Sequence, residues 1–296
     1  MEYDQQGFVQ AKDGTRLFYG LRGPTQATGD DVKAPVILCD GIGCEGFVWR
    51  YLHPHLAEDR LVVHWHYRGH GRSGLPPSSD SMTIEQLADD LCELVGHVGL
   101  DHAIVAGHSM GTLVALEWER LQPEKCLGAL LLCGSAGRIT HTFRGSDSLS
   151  ELLPGLLDVV ARHKGMVRAL WGRVPPSFAY RLAKLSGEID PATLRSEDFE
   201  RYWEHVSDMD PDIFLHLLRS AGEYDAAAHL TELRAPKLVV AAENDTFTPP
   251  EHATALAEAL LDAELFHVRG GSHAAPVEQP MTVQLRVDKF LSDRNL

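Results

Sequence analysis

The chain has 296 residues, 44% of them hydrophobic, and its 27 basic and 42 acidic side chains give a formal net charge of −15. A chain of this size can bury one large core. Its acidity, and the lack of a Lys and Arg run long enough to follow a phosphate backbone, argue against nucleic acid or anionic membrane partners. The polar N-terminal residues predict no secretory signal, and no apolar stretch approaches membrane-spanning length, so we expect a cytoplasmic protein.

The cysteines and histidines show none of the spacings typical of metal sites or redox pairs. The sixteen histidines form no H-E-x-x-H or similar pattern, and no C-x-x-C pair is present. We therefore expect no metal ion and no cofactor. The cysteines lie mostly in apolar runs, which predicts buried thiols. They are Cys39, Cys44, Cys92, Cys126 and Cys133.

Strand and helix signals alternate along most of the chain. Alternating residues at 8–11 and 16–19, with Asp13-Gly14 between them, predict a hairpin. Apolar runs typical of buried strands follow at 35–39, 61–65, 103–106, 127–133, 238–242 and 264–268. Helical spacing is found at 82–95 with Thr83 as N-cap, 110–121, 250–261 and 277–291. This order predicts an α/β fold with a mainly parallel eight-stranded sheet covered by helices on both faces.

The alternation lapses between residues 138 and 224, where the pattern is helical almost throughout. We predict that residues 138–224 form a helical cap inserted in a core domain made of residues 1–137 and 225–296. Ligands bind at the carboxyl edge of open α/β sheets, so the cap is expected to roof that edge. Helix breaks are expected within it at Pro154, Gly172, Pro175-Pro176, Pro191 and Pro211.

The candidate site is organised around a turn at Ser109. The predicted strand 103–106 runs into Gly107-His-Ser-Met-Gly111 and continues as a helix. Glycines are needed on both sides of Ser109, because side chains there would collide with the neighbouring strand and helix when the serine backbone is strained. The hydroxyl is then exposed at a helix N-terminus, where free N–H groups stabilise negative charge. The alternative is an ordinary helix-capping serine.

A serine hydroxyl becomes nucleophilic when a base takes its proton and an acid orients that base. Asp245 follows the predicted strand 238–242, and His273 follows the strand 264–268, so both lie on loops at the sheet edge that carries Ser109. We predict that these three residues form a catalytic triad. The alternatives are a turn-forming aspartate and a surface loop histidine.

Three other residues are rivals for the same roles. Glu243 is the rival acid, and His108 and His267 are rival bases. His267 lies within a predicted strand, and His108 is expected to point away from Ser109 because it is the immediate neighbour. Neither rival base is therefore well placed.

These motifs make the chain resemble the α/β-hydrolase fold family, specifically its serine-nucleophile, carboxylesterase-like members with a helical cap. The order of nucleophile, acid and base along the chain is the one that this fold requires. The resemblance covers nearly the whole chain. Its motifs are Asp40-Gly41, the run from Tyr67 to Ser73, Gly107 to Gly111, Asn244-Asp245 before Pro249-Pro250, and Gly271-Ser-His273.

The resemblance implies an oxyanion hole formed by the backbone N–H groups of Met110 and Ile42. The chain departs from the family pattern twice. Most members have His-Gly where this chain has Asp40-Gly41, and an aspartate where it has His66. A carboxylate pointing at an oxyanion would oppose catalysis, so we expect Asp40 to face the neighbouring loop, the alternative being contact with substrate.

A serine at position 109 argues against epoxide hydrolases and haloalkane dehalogenases, whose nucleophile is an aspartate. We expect a carboxylesterase that cleaves a small-molecule ester through an acyl-enzyme intermediate. Lactonase, thioesterase, carbon–carbon bond hydrolase and cofactor-free haloperoxidase activities are alternatives, as is a ligand receptor of the same fold. The oligomeric state is not predicted. Aromatic side chains expected to line an apolar pocket, although each also suits packing of the cap, are Trp49, Trp171, Trp203 and Phe214.

Overall fold

The computed structural model describes residues 1–24, 33–142, 148–173, 175–186 and 194–296. Its strands are β1 (Gln5–Gln10), β2 (Arg16–Arg22), β3 (Val36–Cys39), β4 (Val62–Trp65), β5 (Ala103–His108), β6 (Cys126–Leu132), β7 (Lys237–Ala242) and β8 (Ala263–Val268). Its helices are α1 (Leu52–Leu56), α2 (Ile84–Val98), α3 (Met110–Leu121), α4 (Ile139–Thr142), α5 (Ser148–Arg162), α6 (Lys164–Leu170), α7 (Pro176–Ser186), α8 (Ser196–Asp208), α9 (Pro211–Glu223), α10 (Pro250–Ala259), α11 (Ala275–Glu278) and α12 (Pro280–Asp293).

The strands form one eight-stranded sheet in the order β1-β2-β4-β3-β5-β6-β7-β8. The N-terminal hairpin pairs antiparallel within itself and with β4, and every other neighbouring pair is parallel. The predicted fold class is therefore confirmed. In such a sheet the loops that follow β3, β5, β7 and β8 all leave from the same edge, which is where candidate site residues were expected.

Alternation of side chains along the central strands builds two cores, one on each face of the sheet. On β3, Ile37 packs in a cluster that includes apolar residues of α2 and α3. Its neighbours Val36 and Leu38 point to the opposite face and pack with residues of α1 and α12. Covering helices on both sides explain why these strands read as continuous apolar runs.

Of two helix predictions compared with the structure, one is confirmed and the other is wrong. The predicted N-cap of α2 is confirmed, since the Thr83 hydroxyl accepts a hydrogen bond from Gln86 N at 3.1 Å. The single helix predicted at 277–291 is wrong, because two helices, α11 and α12, meet at Gln279. Pro280 opens α12, and the residue before a proline is disfavoured in helical conformation.

Helices α4 to α9 lie between β6 and β7, and the two ends of this segment are joined. Gly137 and Asp225 form an isolated antiparallel β-bridge at the predicted boundary. Helices are interrupted as predicted at Gly172 and at the prolines that open α7 and α9. The helix break expected at Pro191 lies outside the described residues. The division into core and cap domains stays a prediction.

The break expected at Pro154 is wrong, because this proline lies inside α5. The apolar face of α5 explains why the helix continues. Leu153 and Val160 are buried against Leu215 of α9, and this packing outweighs the backbone hydrogen bond that a proline cannot donate.

Within the described residues, no helix is both long and apolar enough to cross a membrane.

Several imidazoles are buried in or beside the core. Burial lowers the pKa of His53 and of His108 to about 3, and that of His70 to about 4. The pKa of His66 is lowered further, again mainly by burial. Because burial disfavours the charged form, all four side chains are neutral near neutral pH.

We expect the free energy of unfolding to fall as the pH is lowered from about 7 to about 5. The unfolded chain binds a proton at each of these imidazoles near pH 6.5, whereas the folded chain binds it only at much lower pH. Below about pH 6.5, each depressed imidazole therefore costs about 1.4 kcal/mol per pH unit until its folded pKa is reached. Urea unfolding across this pH range measures the slope.

Replacement of one buried imidazole supplies the control. His70→Gln should make the unfolding free energy less dependent on pH, whatever it does to stability at neutral pH. His267→Gln, at an exposed position of β8, controls for the substitution itself. A slope that both variants share with the parent protein would contradict the assignment to buried histidines.

Candidate active site

Ser109 lies on a strained turn between β5 and α3. Its backbone angles are φ 54 and ψ −121, a conformation that residues other than glycine rarely adopt. Neighbouring structure holds the turn, because Ser109 N donates to Leu132 O at 3.0 Å and Ser109 O accepts from the Thr112 hydroxyl at 2.6 Å. The serine is 8% exposed. The turn thus places the largely buried Ser109 side chain at the N-terminus of α3.

The two flanking glycines are required by contacts with the neighbouring backbone. A Cβ on Gly107 would lie 2.3 Å from Gly111 O, and a Cβ on Gly111 would lie 2.1 Å from Cys39 O at the end of β3. Real Cβ atoms do not approach other atoms this closely, so the predicted reason for both glycines is confirmed. The turn brings β5, α3 and β3 into direct backbone contact.

Asp245 and His273 are in direct contact. Asp245 Oδ2 lies 2.8 Å from His273 Nδ1. The other carboxylate oxygen, Oδ1, accepts from the backbone N–H groups of Phe247 and Thr248, both at 2.9 Å. Burial raises the pKa of Asp245, but His273 and the hydrogen bonds from Thr248 outweigh burial and leave the pKa below its usual value. An ionised carboxylate accepts the Nδ1 proton, which leaves Nε2 of His273 unprotonated.

Thr248 is a site residue that the sequence analysis missed. Its hydroxyl lies 2.7 Å from Cys133 O and 2.9 Å from Asp245 Oδ2. The hydroxyl has one proton and so donates to one of these oxygens at a time, while the Thr248 N–H donates to Asp245 Oδ1. The available signal was a threonine three residues after an aspartate, a spacing at which Asp and Thr side chains close local turns.

The structure places the three rivals in other roles. Glu243 accepts a hydrogen bond from Gly270 N at 2.8 Å, and His267 is exposed on β8. His108 Nε2 lies 3.0 Å from His273 O, and the two rings are 4.9 Å apart. Since a carbonyl only accepts, His108 donates from Nε2 and holds the main chain of His273 beside the turn. These contacts favour Asp245 and His273 as the functional pair.

The loop after β3 packs against the serine turn. A Cβ on Gly41 would lie 3.3 Å from Ser109 Cβ. No backbone hydrogen bond among the described residues uses the N–H of Ile42 or of Met110. Both donors are therefore available to a negative charge developing beside Ser109.

The Asp40 side chain is bound by its own loop and by β4. Its carboxylate accepts from Gly46 N at 3.1 and 3.2 Å and lies 2.8 Å from His64 Nε2. Its carbonyl accepts from the Tyr67 hydroxyl at 2.8 Å. The buried carboxylate thus has hydrogen-bond partners within its own loop and on β4.

The expected pocket residues fall into two groups. Trp171 and Phe214 lie together, with ring centroids 5.7 Å apart, and a Cβ on Gly43 of the loop after β3 would be 3.4 Å from Phe214. Trp49 is fully buried in the core cluster beside α1, and Trp203 packs against the edge of the same cluster. The first group is linked to the loop through Gly43, and the pocket assignment stays a prediction.

Other reactive groups at the site are absent or inactivated. Burial raises the pKa of the Cys44 and Cys133 thiols well above its usual value, so both stay protonated. Across the described ranges, no three His, Cys, Asp or Glu side chains are arranged to hold a metal ion. Ser109, Asp245 and His273 stay the predicted functional residues of the site.

This strand order, the serine turn after β5 and an Asp–His pair on the loops after β7 and β8 define an α/β hydrolase. The profile of the alpha/beta hydrolase fold matches residues 34–280, and the chain belongs to that family. The resemblance predicted from the motifs is confirmed.

Individual relatives cover nearly the whole chain. A protein of Rhizobium rhizogenes, provisionally named carbamate hydrolase RutD, is 28% identical over 88% of this chain and 93% of its own length. A thermophilic esterase from Thermogutta terrifontis superposes with a TM-score of 0.78 at 24% identity, covering 99% of this chain and 100% of that one. The enol-lactonase from Burkholderia xenovorans has a TM-score of 0.71 at 18% identity, covering 97% and 100%. These structural likenesses support the fold.

Gly111→Ala should destabilise the protein by about 3 kcal/mol, because the added methyl group would overlap the β3 backbone. The matched control is Gly96→Ala, at an exposed position of α2 with nothing within 4 Å of the added Cβ. That change should raise stability by up to about 1 kcal/mol through helix propensity. Urea unfolding of both variants tests the argument, and a Gly111→Ala protein as stable as its parent would refute it.

Proposed function

We propose that the protein is a serine hydrolase that cleaves carboxylic esters through an acyl-enzyme intermediate. The observation that carries the proposal is the 2.8 Å contact between Asp245 Oδ2 and His273 Nδ1 beside the strained turn of Ser109. A buried carboxylate that fixes the tautomer of an imidazole next to a raised serine is the arrangement that serine catalysis needs.

The proposed reaction begins with attack of Ser109 Oγ on the ester carbonyl carbon. The hydroxyl proton passes to His273 Nε2, and Asp245 stabilises the resulting imidazolium. The carbonyl oxygen becomes an oxyanion that the N–H groups of Met110 and Ile42 stabilise. Collapse of the tetrahedral intermediate breaks the carbon–oxygen bond, and the departing alcohol takes its proton from Nε2.

Deacylation repeats the same steps with water as nucleophile. His273 Nε2 removes a proton from water, which attacks the acyl group on Ser109 through a second oxyanion. Collapse releases the carboxylic acid and returns the proton to Ser109 Oγ. No cofactor is required, and the only partner proposed is a small-molecule ester.

A carbamate is the second candidate substrate class. The supporting observation is the relative named for carbamate hydrolysis, which aligns with 88% of this chain. A carbamate ester has a nitrogen bonded to the same carbonyl carbon, so the same steps apply, with a carbamoyl group on Ser109 and a carbamic acid as the product. Lactones are cyclic esters and fall within the first proposal.

We further propose that helices α4 to α9 form a cap over the site and supply its substrate pocket. The support is the packing of α8 and α9 on the loop that carries Ile42. A Cβ on Gly43 would lie 2.8 Å from Val206 and 3.4 Å from Phe214. A large acyl group bound at Ser109 would therefore meet this apolar surface, whereas an acetyl group would meet little of it.

Ser109→Ala should abolish turnover of p-nitrophenyl acetate and of a matched p-nitrophenyl carbamate, while the unfolding transition stays unchanged. Loss of the nucleophile typically leaves less than about a thousandth of the parent rate. A fluorophosphonate should label the parent protein and not the variant. Turnover of the carbamate alone would favour the second candidate. A parent protein that is neither labelled nor active on either substrate would exclude both and favour a receptor.

Asp245→Asn should lower turnover by about three to four orders of magnitude, because the imidazole is no longer held in the required tautomer. KM should change little, since Asp245 does not touch substrate. Glu243→Gln is the matched control, two residues away and turned toward Gly270, and should keep near-parental turnover. The acid is misassigned if the control is the damaging change.

A further inference from the structure

A chain of buried polar contacts connects the loop that carries Ile42 to the N-terminal residues. Asp40 Oδ2 lies 2.8 Å from His64 Nε2, and His64 Nδ1 lies 2.7 Å from the hydroxyl oxygen of Tyr3. Asp40 is 1% exposed and His64 is fully buried. We call Tyr3, His64 and Asp40 the loop relay.

The hydrogen bonds of the loop relay run in one direction. Both carboxylate oxygens of Asp40 accept from Gly46 N, so Asp40 is the acceptor at one end. If it also accepts from His64, the proton is on Nε2, and Nδ1 accepts from the Tyr3 hydroxyl. Burial raises the pKa of Tyr3, with the Asp40 charge acting in the same sense. The tyrosine therefore keeps its proton and is the donor at the other end.

The Asp40 carboxylate closes a ring of backbone around Ile42. Asp40 begins the loop, and Gly46, whose N–H it accepts, ends it. Within the ring, Cys44 N donates to Gly41 O at 3.2 Å. The position of the Ile42 N–H is thus set by a loop whose two ends meet on one buried side chain.

The N-terminal end of the loop relay is fixed to the sheet. Asp4 N donates to Leu21 O on β2 at 2.8 Å. The Tyr3 ring lies parallel to the His64 ring, at 12° and 6.1 Å, and packs edge-on to Phe18 at 5.7 Å. Tyr3 therefore links β2 to the loop after β3 through His64 and Asp40.

We propose that Tyr3, His64 and Asp40 are positioning residues that hold the Ile42 N–H where it can stabilise the oxyanion. This inference rests on the proposed function, because it assigns Ile42 a role in that reaction. None of the three side chains contacts the reacting atoms in this proposal. Each acts through the loop formed by residues 40–46.

Tyr3→Phe is the test, because it removes one hydroxyl and leaves the ring in place. A displaced oxyanion donor should lower kcat for p-nitrophenyl acetate by about tenfold with KM nearly unchanged. Binding of a trifluoromethyl ketone, whose adduct with Ser109 carries an oxyanion, should weaken by a similar factor. Hydrogen exchange in a peptide covering residues 40–48 should become faster, and this readout does not depend on activity.

Tyr19→Phe is the matched control. The Tyr19 hydroxyl also forms a hydrogen bond with a histidine, because it lies 3.2 Å from His97 Nε2. This pair is exposed, and its members lie on β2 and α2. The control should leave kcat, ketone affinity and exchange of the 40–48 peptide unchanged. Asp40→Asn, compared at a temperature where all variants are folded, should act in the same direction as Tyr3→Phe and more strongly.

The outcomes separate the loop relay from the proposed function. A parent protein without esterase activity refutes the function, and unchanged exchange at 40–48 in both relay variants refutes the relay whether or not the parent is active. An active parent whose folded Tyr3→Phe variant keeps its kcat and ketone affinity also overturns the inference. A lower melting temperature without either catalytic change would indicate a purely structural contact, and it counts against the proposal as well.

Discussion

The arrangement of the site depends on the close approach of three backbone segments at the serine turn. At Gly107 and Gly111 there is no room for a Cβ, so β5, α3 and the end of β3 are in direct contact. This contact holds Ser109 at φ 54, a conformation that costs on the order of 1–3 kcal/mol in isolation. The packed sheet offsets that strain, and it also brings the loop after β3 beside the serine.

The end of strand β6 is hydrogen-bonded both to the turn at Ser109 and to the loop that contains Asp245. Its last residue, Leu132, accepts a hydrogen bond from Ser109 N, and the next residue, Cys133, accepts one from the Thr248 hydroxyl. The backbone N–H of Thr248 in turn donates to Asp245 Oδ1 at 2.9 Å. The turn with Ser109 and the loop with Asp245 are therefore positioned by consecutive carbonyl groups at the end of β6, which limits how far they can move apart.

Periodic signals in the sequence were sufficient for the elements that build the sheet. The helix α3 begins and ends at the predicted residues, and the Thr83 cap of α2 is confirmed. Both features depend on residues that are close together in the sequence, so a local pattern predicts them. Contacts between distant residues carry no such signal. Thr248, which bonds Cys133 over 115 positions, and Pro154, which is kept helical by packing on another helix, were therefore missed or mispredicted.

The two departures from the family pattern have a common physical explanation. At position 40 a carboxylate stands where the family typically has an imidazole, and the His64 imidazole on β4 is its partner. At position 66 an imidazole stands where the family typically has a carboxylate, and its Nδ1 accepts from Arg72 N at 2.9 Å in the loop that follows β4. In this chain both side chains act as hydrogen-bond acceptors for a backbone N–H of a nearby loop.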